Sequence, residues 1–474
     1  MLHLQAQMWR FLMGIGMFLH KFASPRPPKP SFVRSIPSTV STKEGNFNLH
    51  FYVPKEYENK KRLNFPKTTS RPSHHQNNSN HGYPCIINFH GGGFTLGDPT
   101  DDARWCGTVV EQLDAVVVSV DYRRAPENPF PIAVEDGVDA VLYVGGHAES
   151  LGIDPKKIAL SGFSSGANMA FTVPLRLYDH MTSFNRALTR EETNNTANTL
   201  AVPTSSGQPQ TLAQLASASA TSVNRILRSR SEMAVPQHEQ EHYLSVQRTN
   251  ASAGKGGKAA GSIGLDDIPA VQLCAIVPWY PSCDYTQTRD QRRSTTVRKD
   301  QELPALFTDL FDESYLHPPD TIPLDSPYLS PGIADTELLR EALPQEIIMH
   351  TCEWDMLLAE GIKFKDRLMS PQIGKKVTYI MVEGVPHGWD KAPNPIKPTP
   401  GVKEHYFRAC RELRRVFADT QKNSFGAGAM NMQGQTGIGG SAVSLAGESA
   451  VSEDTGDEIE LVGRAGRRES RLVN

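Results

Sequence analysis

The sequence predicts an α/β protein whose mostly parallel sheet is covered by helices on both faces. Three observations carry that prediction. From Tyr83 onward, short apolar runs alternate with stretches of helical spacing. One of those runs, Ile158–Leu160, leads through Gly162-Phe163-Ser164-Ser165-Gly166 directly into a helical pattern. Two later runs lead, within about six residues, to Asp355 and His387.

The elements follow in order. Met8–Ala23 is apolar but broken by Arg10, His20 and Lys21, and its clean run, Phe11–Leu19, is too short to span a bilayer as a helix. It has no basic residue before the run apart from Arg10 and no small-x-small site after it, so it does not read as a signal peptide. Two readings remain, a helix capping the protein's own body and a peripheral membrane contact through residues 8–23. The cap is the expectation taken. Pro25–Pro30 ends that helix and begins an extended segment, and Asn46–Val53 alternates apolar and polar residues as a half-buried strand should. Tyr57–Gly82 is polar and reads as a loop. Its His74, His75 and His81 lack carboxylate or thiol partners at ligand spacing, so a solvated loop is expected there and no metal site.

The strands of the sheet proper are Cys85–Phe89, Ala115–Val120, Ile158–Leu160, Val271–Val277, Ile347–Met349 and Val377–Val382. Near-continuous apolar strands separated by helices imply a parallel sheet buried on both sides. Helical spacing marks Ile132–Val144, Ser165–Tyr178 and Val402–Phe417. The last places Val402, Tyr406, Ala409, Leu413 and Val416 on one face, suited to docking on the sheet.

Two stretches break this pattern. Arg186–Gly261 is rich in Ser, Thr, Ala, Asn and Gln, and Phe425–Asn474 in Gly, Ala and Ser. Neither carries enough apolar surface to offset the entropy of ordering, so both are expected to be disordered. They account for a hydrophobic content of only 38% in 474 residues. The expected organisation is an N-terminal helix and proline-rich segment (1–45), a first part of the main domain (46–185), an insert (186–265), a second part (266–420) and a tail (421–474). The sequons at Asn77, Asn194 and Asn250 fall in Asn/Ser-rich loops and, without a leader, are read as chance matches. A net charge of −3 gives no field that would attract nucleic acid. Six scattered cysteines without C-x-x-C spacing read as free thiols, which suits a reducing, intracellular and cytoplasmic setting, with membrane association left open.

A strand turning sharply into a helix needs small residues two before and two after the turn, which Gly162 and Gly166 supply. The residue between them, Ser164, is then exposed at a helix N-terminus, where the dipole favours an anion. A nucleophilic hydroxyl needs a base, and a tetrahedral intermediate needs donors for its oxyanion. His90-Gly91-Gly92-Gly93-Phe94 follows a strand directly and lacks the Lys and Ser/Thr of a phosphate loop, so an oxyanion hole is expected there. His387 and Asp355 each end a strand, and the order Ser164, Asp355, His387 is the chain order of the α/β-hydrolase triad.

These stretches resemble the hormone-sensitive-lipase group of α/β-hydrolases, the fold-3 esterases with arylesterase-like and carboxylesterase-like members. The resemblance covers about Asn46–Tyr178 and Ile268–Phe417. It rests on HGGGF (His90–Phe94), DYRRAPENPFP (Asp121–Pro131), GFSSGAN (Gly162–Asn168), DMLLAE (Asp355–Glu360) and HGW (His387–Trp389). It implies the α/β-hydrolase fold with an N-terminal helical cap, and oxyanion donors in the backbone N–H groups of Gly92, Gly93 and Ser165. It also implies hydrolysis of a small hydrophobic ester (short-chain, aryl or sterol) through an acyl-enzyme, with no cofactor or metal. Phe163, Ser165 and Ala167 depart from the group's usual G-D-S-A-G-G, and Ala359 stands where a second acid is expected, with Glu360 next to it. Those departures bear on substrate preference. Phe94, Phe163, Trp279 and Trp389 are candidate substrate contacts, and each is equally a candidate core aromatic. The rival readings are an amidase or formamidase with the same triad, a non-catalytic small-molecule receptor on the same fold, and an interaction protein working through its insert and tail. Retention of His387 counts against the receptor.

Overall fold

In the computed structural model, residues 2–22, 26–64, 82–200, 271–319, 321–391 and 399–432 are described. Most of the expected insert, most of the tail, His74, His75, His81, Asn77 and Asn250 lie outside them. An eight-stranded sheet has the order β1-β2-β4-β3-β5-β6-β7-β8. Its strands are β1 (Phe32–Pro37), β2 (Asn46–Tyr52), β3 (Tyr83–Phe89), β4 (Val116–Asp121), β5 (Ile153–Phe163), β6 (Leu273–Trp279), β7 (Glu346–Trp354) and β8 (Lys376–Pro386). β1 and β2 pair antiparallel, β2 runs antiparallel to β4, and all remaining neighbours are parallel.

The central strands show why they read as unbroken apolar runs. In β3, Cys85, Ile87 and Phe89 enter one core while Ile86 enters the other. In β4, Val116, Val118 and Val120 oppose Val117, and in β7, Ile347 and Met349 oppose Ile348. All of these side chains are wholly buried, each worth roughly 1.5–3 kcal/mol relative to exposure. The first core is closed by α4 (Ile132–Gly146), α5 (Ser165–Leu200), α8 (Thr336–Ala342) and α9 (Leu358–Met369). The second is closed by α3 (Ala103–Leu113) and α10 (Val402–Met432), whose expected face of Val402, Tyr406, Ala409, Leu413 and Val416 lies in it. The remaining helices are α1 (Leu2–His20), α2 (Tyr57–Asn64), α6 (Arg289–Ser294) and α7 (Ala305–Tyr315). The chain divides into Met1–Ser424 and Phe425–Asn474, the latter described only as helical backbone to Met432.

Three elements differ from expectation. Tyr57 opens a helix and not a loop: its ring is buried and its hydroxyl donates to the Leu151 carbonyl at 2.8 Å, a tertiary anchor that the polar residues around it do not announce. β1 is an edge strand in which only Ile36 is buried, so it carries no alternation. α5 continues to Leu200, into the span read as insert. All six cysteines are free thiols.

Candidate active site

β5 delivers Ser164 at a turn where its φ is +55°, a left-handed conformation that few side chains adopt. The turn is held at both ends. The Ser164 N–H donates to the Trp279 carbonyl at 2.9 Å, and the Ser164 carbonyl accepts from Ala167 and Asn168 at 3.0 and 3.1 Å, starting α5. A Cβ on Gly162 would lie 2.1 Å from the Gly166 oxygen, and one on Gly166 would lie 2.0 Å from the Phe89 oxygen. Both contacts are impossible, so the two glycines are what let β5, the turn and α5 pack so closely.

β7 and β8 bring in the other two residues. Asp355 and His387 each follow their strand by one residue. Ser164 Oγ lies 2.8 Å from His387 Nε2, and His387 Nδ1 lies 2.6 Å from Asp355 Oδ2. The other oxygen of Asp355 accepts the Leu357 N–H at 3.0 Å, so its carboxylate cannot swing away without losing that bond. Burial opposes charge on the imidazole. The charge and hydrogen bond of Asp355, with a smaller contribution from Asp390, outweigh it and hold His387 above its ordinary value.

The loop after β3 borders Ser164. Gly92, Gly93 and Phe94 take φ values of +116°, +60° and +59°. A Cβ on Gly93 would sit 2.1 Å from the Phe311 ring, so glycine is required by shape as well as by conformation. The loop is tied down by the segment after β4. The Tyr122 hydroxyl donates to the His90 carbonyl at 2.9 Å, Ala125 N–H to the Phe94 carbonyl at 2.9 Å, and Arg124 to the Gly97 carbonyl. His90 stacks on Tyr122, and burial, with Arg124 nearby, pushes its pKa down to about 4. It stays neutral, with Nδ1–H donating to the Gly91 carbonyl at 2.8 Å.

A cavity of about 210 Å³ opens on Ser164 and His387. Gly91, Gly92 and Gly93 form one side; Met13 and Met17 of α1 and Phe307 and Phe311 of α7 form an apolar roof. A recess of about 30 Å³ on the Asp355 side is lined by Ser282, Tyr285, Arg289 and Met356. Of the four candidate substrate aromatics, Phe163 borders the cavity. Phe94, Trp279 and Trp389 do not: all three are buried in the core. Phe94 stacks on Tyr315 at 3.8 Å, Trp279 on His350 at 3.8 Å, and Trp389 packs edge-on to His405. Phe94 belongs to the first core and Trp279 and Trp389 to the second, a division that sequence adjacency to the motifs cannot reveal.

Several site residues carried no signal of their own. Tyr280, at φ +40°, sets its ring edge against His387 at 4.9 Å and donates its hydroxyl to Asp390 at 2.5 Å. Asp390 also accepts from Tyr406 and lies 2.8 Å from Lys391, which reaches Asp102 at 2.9 Å. Asp390 and Lys391 follow His387 so closely that their position in the chain could have flagged them. Phe307 and Phe311 belong to α7, which is not among the helices that spacing marked in the sequence. Glu360, beside the missing second acid, is fully buried against Arg292 at 2.8 Å and accepts the Cys283 N–H at 2.6 Å. Among the described residues, no group of three or more His, Cys, Asp or Glu is arranged to hold a metal ion.

A family profile described as alpha/beta hydrolase fold matches residues 86–183 and 251–391, about half the chain. An AB hydrolase superfamily protein of Schizosaccharomyces pombe is 48% identical over 89 residues, 19% of this chain and 26% of that protein. Esterase LipI of Mycobacterium tuberculosis is 42% identical over 96 residues, 20% of this chain and 30% of that protein. The matched stretches thus span under a third of these curated relatives. Among solved structures, an ester hydrolase from the Lake Arreo metagenome has a TM-score of 0.52 at 19% identity, covering 87% of this chain and 91% of that one. The thermophilic carboxylesterase EstE1 from a metagenomic library has a TM-score of 0.52 at 21% identity, covering 87% and 97%. At such identities the likeness is one of fold.

Proposed function

The chain belongs to the hormone-sensitive-lipase-like group of the α/β-hydrolase fold family, and from that premise we propose that it hydrolyses carboxylic esters through a seryl acyl-enzyme. The observation that carries this reading is the single imidazole bridging a strained serine and a buried carboxylate, at 2.8 and 2.6 Å.

Ser164 Oγ attacks the ester carbonyl carbon while His387 Nε2 takes its proton. The carbonyl π pair moves onto oxygen, where the backbone N–H groups of Gly92, Gly93 and Ser165 are the donors. Collapse of the tetrahedral species breaks the bond to the alcohol, which leaves with the proton from His387. Water then attacks the acyl-enzyme, His387 again taking and returning a proton, and the carboxylic acid departs. Asp355 keeps the imidazole proton on Nδ1, so that Nε2 is the acceptor at each stage. Esterase names among the relatives support the same reading, as do the roof of Met13, Met17, Phe307 and Phe311 and the small volume, which suit short-acyl or aryl esters of apolar alcohols.

A fluorophosphonate probe tests the proposal directly. Covalent labelling should map to Ser164 and vanish in Ser164→Ala. The same variant should lose p-nitrophenyl ester hydrolysis by several orders of magnitude, as expected when one member of a unit is removed. Near-wild-type turnover by a folded Ser164→Ala protein would refute it.

A further inference from the structure

α1 is apolar on both sides, and the fold covers only one of them. Its inner positions reach the protein: Ala6 is buried, Trp9 packs on Phe307 at 4.9 Å, and Met13 and Met17 line the Ser164 cavity. Arg10 also points inward, donating to the Thr95 and Ala125 carbonyls and pairing with Glu127 at 2.8 Å. The opposite positions, Leu4, Met8, Phe11, Leu12, Ile15, Phe18, Leu19 and Phe22, recur at the helical period and are 44–72% exposed. Eight such side chains side by side form a contiguous apolar patch of the kind that marks an interaction surface on a soluble protein. No charged residue shares that face: Arg10 is turned to Glu127 and Lys21 donates to Thr100.

We propose that this outer face docks on an anionic lipid membrane, laying the roof of the Ser164 cavity on the bilayer surface. The charge around the face selects that occupant. Arg26 and Lys29 come shortly after α1, and the chain reaches no acidic residue before Glu44. Arg26 and Lys29 are exposed just beyond the helix, and the Arg26 guanidinium lies 5.9 Å from the Phe22 ring. An apolar helix face flanked by cations of one sign matches an acyl boundary under anionic headgroups. A second copy of the chain would set those same cations against one another. No helix among the described residues is long and apolar enough to cross a membrane, so the contact is interfacial: a helix of this length lies flat over about 28 Å.

The test is co-sedimentation of the full chain with phosphatidylcholine vesicles, with and without phosphatidylserine. Wild type should pellet with the anionic vesicles and be released by salt. Phe11→Glu combined with Phe18→Glu should weaken that binding about tenfold or more, with an unchanged circular dichroism spectrum. Arg26→Glu combined with Lys29→Glu, which leaves the helix untouched, should weaken binding to anionic vesicles and not to neutral ones. Wild type remaining in the supernatant with both vesicle types would overturn the proposal, as would binding indifferent to both pairs of substitutions. So would a lipid-free dimer, seen by light scattering, that the phenylalanine substitutions convert to monomer. Sedimentation requires no hydrolysis, so this proposal stands or falls apart from the esterase reading.

Discussion

Asp355→Asn isolates what the carboxylate does for His387. Asp355 accepts two hydrogen bonds on different oxygens, from Leu357 N–H at 3.0 Å and from His387 Nδ1 at 2.6 Å. Asparagine has one acceptor oxygen, so the two donors compete for it. If the oxygen stays with Leu357, the amide NH₂ faces Nδ1, the imidazole proton moves to Nε2, and His387 can no longer accept from Ser164. Flipping the amide restores the useful tautomer but leaves the Leu357 N–H unsatisfied and sets it against a second donor. Two such losses cost about 1–3 kcal/mol each, or about 2–6 kcal/mol together, which corresponds to roughly a 30-fold to 10⁴-fold fall in kcat. KM should change little, because Asp355 contributes no apolar surface to the larger cavity. The pH profile gives an independent readout. In wild type His387 is held above its ordinary value by Asp355; the neutral base is the active form, so activity rises as pH rises through that value. Without the carboxylate, burial dominates and the same limb moves to lower pH. Steady-state kinetics on p-nitrophenyl butyrate from acid to mildly alkaline pH measures both. A kcat within a factor of a few of wild type, or an unmoved limb, would refute the tautomer argument.

Other perturbations follow from the same geometry. Gly93→Ala places a Cβ 2.1 Å from the Phe311 ring, so kcat should fall about 10²-fold or more, as for loss of one oxyanion donor. Combining it with Phe311→Ala should recover part of that loss in the same assay. Asp390→Asn strips a carboxylate from Lys391 and Tyr280 and should lower thermal stability by about 3–5 kcal/mol. It should also shift the acid limb to lower pH, because Asp390 helps raise His387. Glu360→Ala leaves the buried Arg292 without its partner, with a comparable stability loss by chemical denaturation and little change in kcat. Removing residues 1–30 takes away Met13 and Met17, so KM should rise more for bulky esters than for acetate; equal KM values for both would count against the cap.

Much of the molecule follows from local rules. Fully buried strands announce themselves because both faces demand apolar side chains, and Gly162, Ser164 and Gly166 do so because a strand-to-helix turn tolerates nothing larger at its flanks. Asp355 and His387 were legible for a related reason: each lies just past an apolar run, at the carboxyl edge where a parallel sheet gathers its site. Strand ends were less so, since β7 and β8 extend through His350, Glu353 and Glu383, polar residues that interrupt the apolar runs, although His350 is itself buried against Trp279. The sequence could not say that Phe163 borders the cavity while Trp279 packs behind it, because the direction of a side chain at a strand end depends on the neighbouring strand. Nor could it show that Phe311 fills the space above Gly93, or that Tyr280, the adjacent Asp390 and Lys391, and Asp102, drawn from three separate segments, meet beneath His387. In α1 both kinds of information meet. Composition alone shows a helix apolar over much of its surface; only docking through Ala6, Arg10, Met13 and Met17 decides which apolar side is buried, and therefore which is left for a partner.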